Sequence, residues 1–165
     1  MAETTIGTYL GWTDVPTQTS TAITEYTKYV DITDYSDLES APETIDVTTM
    51  SNHKRVYKQG LPDQPQQTYT AMYDPKTYAI IKALGNSTKA FCLMFEESNS
   101  LVKWTGQISV QIAGGSIAEA RTMTITVVAE DEIEVDGTGT GAAFTPTKWY
   151  FHADTNKINK TELAA

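Results

Sequence analysis

The chain has 165 residues, a formal net charge of −9, a pI near 4.6 and 40% hydrophobic residues, which suits one domain with a sizeable core. Six Pro and ten Gly exclude wholesale disorder. The densest basic cluster is only Lys54, Arg55 and Lys58, so the clustered cations that grip nucleic acid are missing. The single cysteine, Cys92, lies in the apolar run 90–95; it excludes an internal disulfide framework and reads as a small core hydrophobe.

The first basic residue is Lys28, so the N-terminus does not read as a secretory leader, and no apolar run approaches the length needed to cross a bilayer. The expectation is a soluble protein made in a cytoplasm, with no membrane partner. Asn86-Ser87-Thr88 and Asn159-Lys160-Thr161 match the glycosylation pattern, which is empty without secretion.

Threonine occupies 27 positions, and with Val, Ile and Tyr beside it the composition favours strands. Residues 1–22 read as an extended N-terminal arm with one short strand over 8–13, ordering only on assembly. Residues 23–33 read as a strand, 34–42 as a loop, and 44–50 as an alternating strand with Ile45 and Val47 on one face. Residues 51–65 form a long excursion, of a length usually functional or disordered, and 67–73 the next strand. Asp74 caps a helix, Pro75 fits its first turn, and Gly85 with Asn86 ends it. Tyr78, Ile81 and Leu84 share one face of that helix, with Ile80 beside them, and should pack on a sheet.

Residues 89–96 read as a buried strand. Residues 102–113 and 121–129 alternate and are joined through Gly114-Gly115, which predicts an antiparallel hairpin. Its greasy face is Ile108, Val110, Ile112, Met123, Ile125 and Val127; its uncharged polar face is Gln107, Ser109, Gln111, Thr122, Thr124 and Thr126. Residues 130–136 hold five acids, 137–141 form a flexible loop, 147–151 a last strand, and 152–165 a C-terminal tail. The main β domain is thus read as 23–151.

Chemistry is sought and not found. His53 and His152 lie in different contexts, with Asp154 the only potential ligand near His152, and zinc spacing is absent. No nucleophile elbow supports a Ser-His-Asp arrangement. The acidic segment partly matches a calcium loop, but the position that needs a bidentate Glu is Ala143. Gly137, Gly139 and Gly141 precede no Lys-Ser or Lys-Thr pair, so they make no phosphate loop. The expectation is no enzyme, no cofactor and no metal, with the acidic segment a solvated edge.

Residues 29–73 carry a resemblance. Val30-Asp31-Ile32-Thr33, Asp37-Leu38 and Ala41-Pro42-Glu43-Thr44-Ile45-Asp46-Val47-Thr48-Thr49-Met50 are followed by Tyr57, Gly60-Leu61-Pro62-Asp63 and the run 69–73. In this order they resemble the major tail tube proteins of siphophages, the group similar to the lambda tail tube protein. The helix, the Gly114-Gly115 turn and Phe144-Thr145-Pro146 fall where that family has equivalents, so the resemblance covers roughly residues 23–150. The 130–136 segment and the stretch after Phe151 depart from it.

The resemblance implies a mainly β subunit, a tail-tube-type sandwich or barrel with one flanking helix. Six subunits would close a ring, removing exposed sheet edges. Stacked rings would form a virion tail tube, assembled in the host cytoplasm with the tape-measure protein and other tail proteins, through which DNA passes without specific binding. The alternatives are a related ring protein (a tail-like bacteriocin tube, a secretion-system tube or a connector) and a carbohydrate-binding β-sandwich module suggested by Trp12, Trp104 and Trp149. Inter-subunit contacts are expected from the excursion at His53, Lys54, Arg55, Tyr57, Lys58 and Leu61, its cations meeting an acidic neighbour such as 130–136. Lumen candidates are Gln107, Ser109, Gln111, Thr122, Thr124 and Thr126, with the tube exterior as the competing placement. The overall acidity is expected to oppose DNA adhesion.

Overall fold

A computed structural model describes residues 7–18, 22–64 and 66–163. In chain order these residues form β1 (Thr8–Asp14), β2 (Glu25–Val30), β3 (Ile32–Tyr35), β4 (Thr44–Asp46), β5 (Tyr57–Gln59), β6 (Gln67–Met72), α1 (Pro75–Leu84), β7 (Lys89–Phe95) and β8 (Ser100–Ile112). There follow β9 (Thr122–Ala129), β10 (Glu134–Val135), β11 (Gly137–Thr138), β12 (Thr145–Pro146), β13 (Tyr150–His152) and β14 (Lys157–Asn159).

The main sheet runs β13-β14-β2-β1-β7-β8-β9-β6-β3, with β10 added to β8, and curls into a half-barrel. The curl has a local cause. The segment read as one strand over 23–33 is two: β2 pairs with β1, and after Asp31 the chain continues as β3 and pairs with β6 at the far end of the sheet. A register irregularity between Ile32 and Asp34 bends the second half further.

Side chains inside the curl form the larger core. Leu10, Trp12, Phe91, Leu93, Tyr69, Val110 and Ile125 meet there. Ile81 is buried with them, and Tyr78 and Leu84 pack against the cluster, so the expected helix face is the one that covers the sheet. Asp74 caps α1 through its carboxylate, which accepts from Thr77 N–H at 3.3 Å and Thr77 Oγ1 at 2.8 Å. Ile80 stays exposed. A second core lies on the outer side of β7 and the first half of β8, where Tyr26, Cys92, Met94, Leu101, Trp149 and Ile158 pack together. Each large apolar side chain so buried contributes about 1.5–3 kcal/mol.

Several expectations need correction. β1 is no peripheral arm, because it pairs with both β2 and β7 and buries Leu10 and Trp12; residues 1–6 and 19–21 of the expected arm lie outside the described residues. The stretch after 152 is no loose tail either: β14 pairs with β2, and Ile158 fills the second core. The strand read over 44–50 shortens to β4 and pairs with β5 in a ribbon apart from the main sheet, leaving Ile45 exposed. Alternation there reported a shared face, on which Ile45 is half exposed and Val47 partly buried. The acidic segment is the expected solvated edge, with Glu130, Asp131, Glu132 and Glu134 exposed, and it is also knitted to the sheet through β10. Asp131 accepts from Thr105 N–H at 2.6 Å, and Lys103 pairs with Glu134 at 3.5 Å and Asp136 at 3.0 Å. Trp12, Trp104 and Trp149 are all buried, which removes the exposed aromatic platform a carbohydrate module would need.

Candidate functional site

The site is built from one long strand that changes neighbours. β7 pairs with β8 over Ser100–Gly106 and β9 pairs with it over Gly106–Ile112. Gly106 marks the crossing; a Cβ there would stand 2.2 Å from the Val128 carbonyl oxygen, so only glycine allows the approach. Beyond Gly106 no described strand lies on the β7 side of β8. The second half of β8 therefore begins a four-stranded antiparallel sheet, continued by β9, β6 and β3.

Both edges of this unit lack a strand partner among the described residues: residues 107–112 of β8 at one end and β3 at the other. A small cleft of about 100 Å³, bordered by Thr8 and by Ile32, Asp34 and Tyr35, runs along the β3 edge. One face of the unit packs into the larger core through Tyr69, Ala71, Ile108, Val110, Met123, Ile125 and Val127. Ile112, read as core, is instead half exposed at the hairpin end.

The other face brings the sequence-derived polar positions into register. Gln111 stands opposite Thr124 and Ser109 opposite Thr126, while Gln107 faces Val128. Thr122 lies beyond them, accepting from Ala113 N–H at 3.0 Å. The sequence reading missed the continuation on β6, where Thr70 faces Thr124 and Thr68 faces Thr126. Its signal was the Thr68-Tyr69-Thr70-Ala71 alternation. It also missed β3, where Asp34 stands opposite Thr70. One row across the face thus reads Asp34, Thr70, Thr124, Gln111. Across β3, β6, β9 and residues 107–112, Asp34 is the only charged residue.

The second feature is the β4–β5 ribbon. His53, Lys54, Arg55, Tyr57, Lys58 and Leu61 are all exposed on it or beside it, and Met50 at its tip is fully exposed. Arg55 is engaged within the ribbon by Asp46 at 3.0 Å, and the Asp46 carboxyl is held below its usual range by the Thr48 hydroxyl and N–H and by Arg55. Lys54 and Lys58 are left as the outward cations. Within the subunit the ribbon and the acidic segment do not pair with each other through any ion pair among the described residues.

A third concavity, about 460 Å³, lies over the second core between Ile23, Tyr26, Trp149, Lys103, Asp131 and Lys160. Its charges oppose one another and its floor is apolar. Among the described residues no group of three His, Cys, Asp or Glu side chains stands close enough to hold a metal ion, and no helix is long and apolar enough to cross a membrane. His152 is tied to Asn159 Oδ1 and the Thr161 carbonyl, both at 3.0 Å.

The architecture defines a class: a mainly β chain whose curled sheet, capped by one helix, presents an open-edged polar unit. The same fold occurs in a chain of the anti-feeding prophage baseplate, known from a cryo-EM structure with sixfold symmetry imposed; the match has a TM-score of 0.52 and 10% identity over 83% of this chain and 97% of that one. No family model matches the sequence, and no curated protein sequence does.

Proposed function

We propose that this protein is a structural, non-catalytic subunit of a phage-type tail, which joins edge to edge into rings that stack as the tail tube. The observation that carries the reading is the four-stranded unit with two edges that lack a strand partner among the described residues and one exposed polar face on which Asp34 is the single charge. An open β8 edge and an open β3 edge can each be satisfied by the other edge of a second copy. Every copy then carries its body, the helix and the larger core, on the same side of the joined sheet. Closure into a ring with an open bore puts those bodies outside and the polar face inside. That geometry supports Gln107, Ser109, Gln111, Thr122, Thr124 and Thr126 as lumen residues over the exterior placement.

The resemblance to siphophage tail tube proteins and the shared fold with a baseplate chain from a sixfold-averaged particle both fit rings of six. In this reading Lys54 and Lys58 on the ribbon meet acidic surface on a neighbouring ring, the tape-measure protein and other tail proteins are partners, and DNA passes along the bore without a specific site. The virion tail is the location. A second reading, a ring in the baseplate or connector of a tail-like particle, is favoured by the baseplate match alone.

Electron microscopy of the purified full chain separates the two: long hollow tubes support the first, isolated rings the second, and strict monomers oppose both. The lumen assignment is tested with Ser109→Lys and Thr124→Lys together. Tubes should persist but retain duplex DNA at low salt, since cations repeated around each ring grip phosphates. Tubes with both lysines and no retained DNA count against the polar face lining the bore.

A further inference from the structure

Resting on the conduit reading above, we infer that Asp34 alone sets the charge selectivity of the bore. The chain carries 21 acidic and 12 basic residues, yet the four strand segments of the polar face contain a single charge. The other described residues of that face offer hydroxyls, amides and a few apolar groups. Asp34 supplies one of the nine net negative charges and the other eight lie outside these strand segments, where salt screens whatever stands beyond the Debye length.

The position of Asp34 is fixed by backbone register. It stands opposite Thr70, in the row that continues through Thr124 to Gln111. The irregularity at Ile32/Asp34 puts Thr33 out of step, where its hydroxyl donates to the Thr70 carbonyl at 3.2 Å and anchors the bend. Asp34 Oδ1 accepts the Tyr35 N–H at 2.9 Å, which orients the carboxylate. No cation pairs with it among the described residues. Because β3 is a joining edge, each copy contributes one carboxylate to a circle at a single height. A bore with low-dielectric walls focuses the field of such a circle, so mobile cations are concentrated and small anions depleted there.

The test uses tubes of the full chain with cationic and anionic gold clusters narrower than the bore, counted inside lumens by cryo-EM. At about 0.01 M salt, where the screening length is about 30 Å, wild-type tubes should take up cationic clusters at least about tenfold over anionic ones. The preference should collapse at about 1 M salt, where screening acts within about 3 Å. Asp34→Asn should abolish it, Asp34→Asn with Thr124→Asp should restore it, and Thr124→Lys, which leaves the β3 edge untouched, should abolish it by neutralising the same row. A wild-type tube with no preference overturns the inference, as does a preference that survives Asp34→Asn or Thr124→Lys. A tube map with this row facing outward overturns the conduit reading itself; a map with the row inside, combined with Asp34-independent selectivity, overturns only the inference.

Discussion

The indole N–H of Trp149 donates to Asp136 Oδ2 at 2.7 Å, while the same carboxylate accepts from Lys103 Nζ through Oδ1 at 3.0 Å. This pair joins the end of the acidic segment to the second core and draws the chain after residue 147 onto the sheet, where β13 and β14 complete it. Asp136→Ala would leave the buried indole without its acceptor and the Lys103 ammonium with Glu134 as its remaining partner, costing about 1–3 kcal/mol. Asp136→Asn, which keeps an acceptor, should cost less. Urea unfolding at unchanged m-value measures the difference; equal stability of the alanine variant and wild type would refute the link.

Gly106 makes a sharper prediction. A methyl group at that position meets the Val128 carbonyl at 2.2 Å, and backbone cannot yield as a flexible side chain would. Gly106→Ala should lower stability by about 1–3 kcal/mol through forced displacement of β9 from β8. Amide exchange should show the loss concentrated in the β8–β9 pairing. A thermal midpoint matching wild type would show that the strands separate freely there.

The helix cap supplies a pH dependence. The Asp74 carboxyl lies below its ordinary value of 3.8, first because the Thr77 hydroxyl hydrogen-bonds it and then because backbone N–H groups and Lys76 favour its charged form. A carboxylate depressed in the folded state adds stability that is present above the unfolded value and lost as pH falls through the folded one. Thermal midpoints of wild type and Asp74→Asn should therefore differ at about pH 5 and converge as pH falls below 3.8 and through the depressed folded-state value. Parallel curves across that range would remove Asp74 from the acid response.

The β4–β5 ribbon should matter for assembly and little for folding. Its strands lie off the main sheet, and Ile45, Met50 and Tyr57 are each more than half exposed. Replacing residues 47–56 with Asn-Gly joins the paired Asp46 and Tyr57 through a two-residue turn and keeps the strand register. The chain should melt within about 2–4 °C of wild type, as surface changes do, yet, on the proposed tube reading, form no tubes. Normal tubes from that variant would make the ribbon a passive loop.

Local chemistry determined much of this protein. The cap at Asp74, Pro75 at the first turn and Gly85 at the end placed α1 within a residue. The strict alternation on either side of Gly114-Gly115 sorted the β8–β9 hairpin into an apolar and a polar face, because side-chain direction along a strand has a period of two wherever the strand lies. Alternation cannot say what covers a face, which is why Ile45 and Val47 marked one face of a strand and Ile45 proved to stand half exposed in a ribbon off the main sheet. Nor does it say which strands become neighbours. Only the tertiary structure placed β1 between β2 and β7, turned the chain at Asp31 from one end of the sheet to the other, and set Asp34 in line with Thr70, Thr124 and Gln111. Those relations come from hydrogen bonds between segments far apart in sequence, whose register is selected by the closing of a common core and leaves no periodic mark on any one segment.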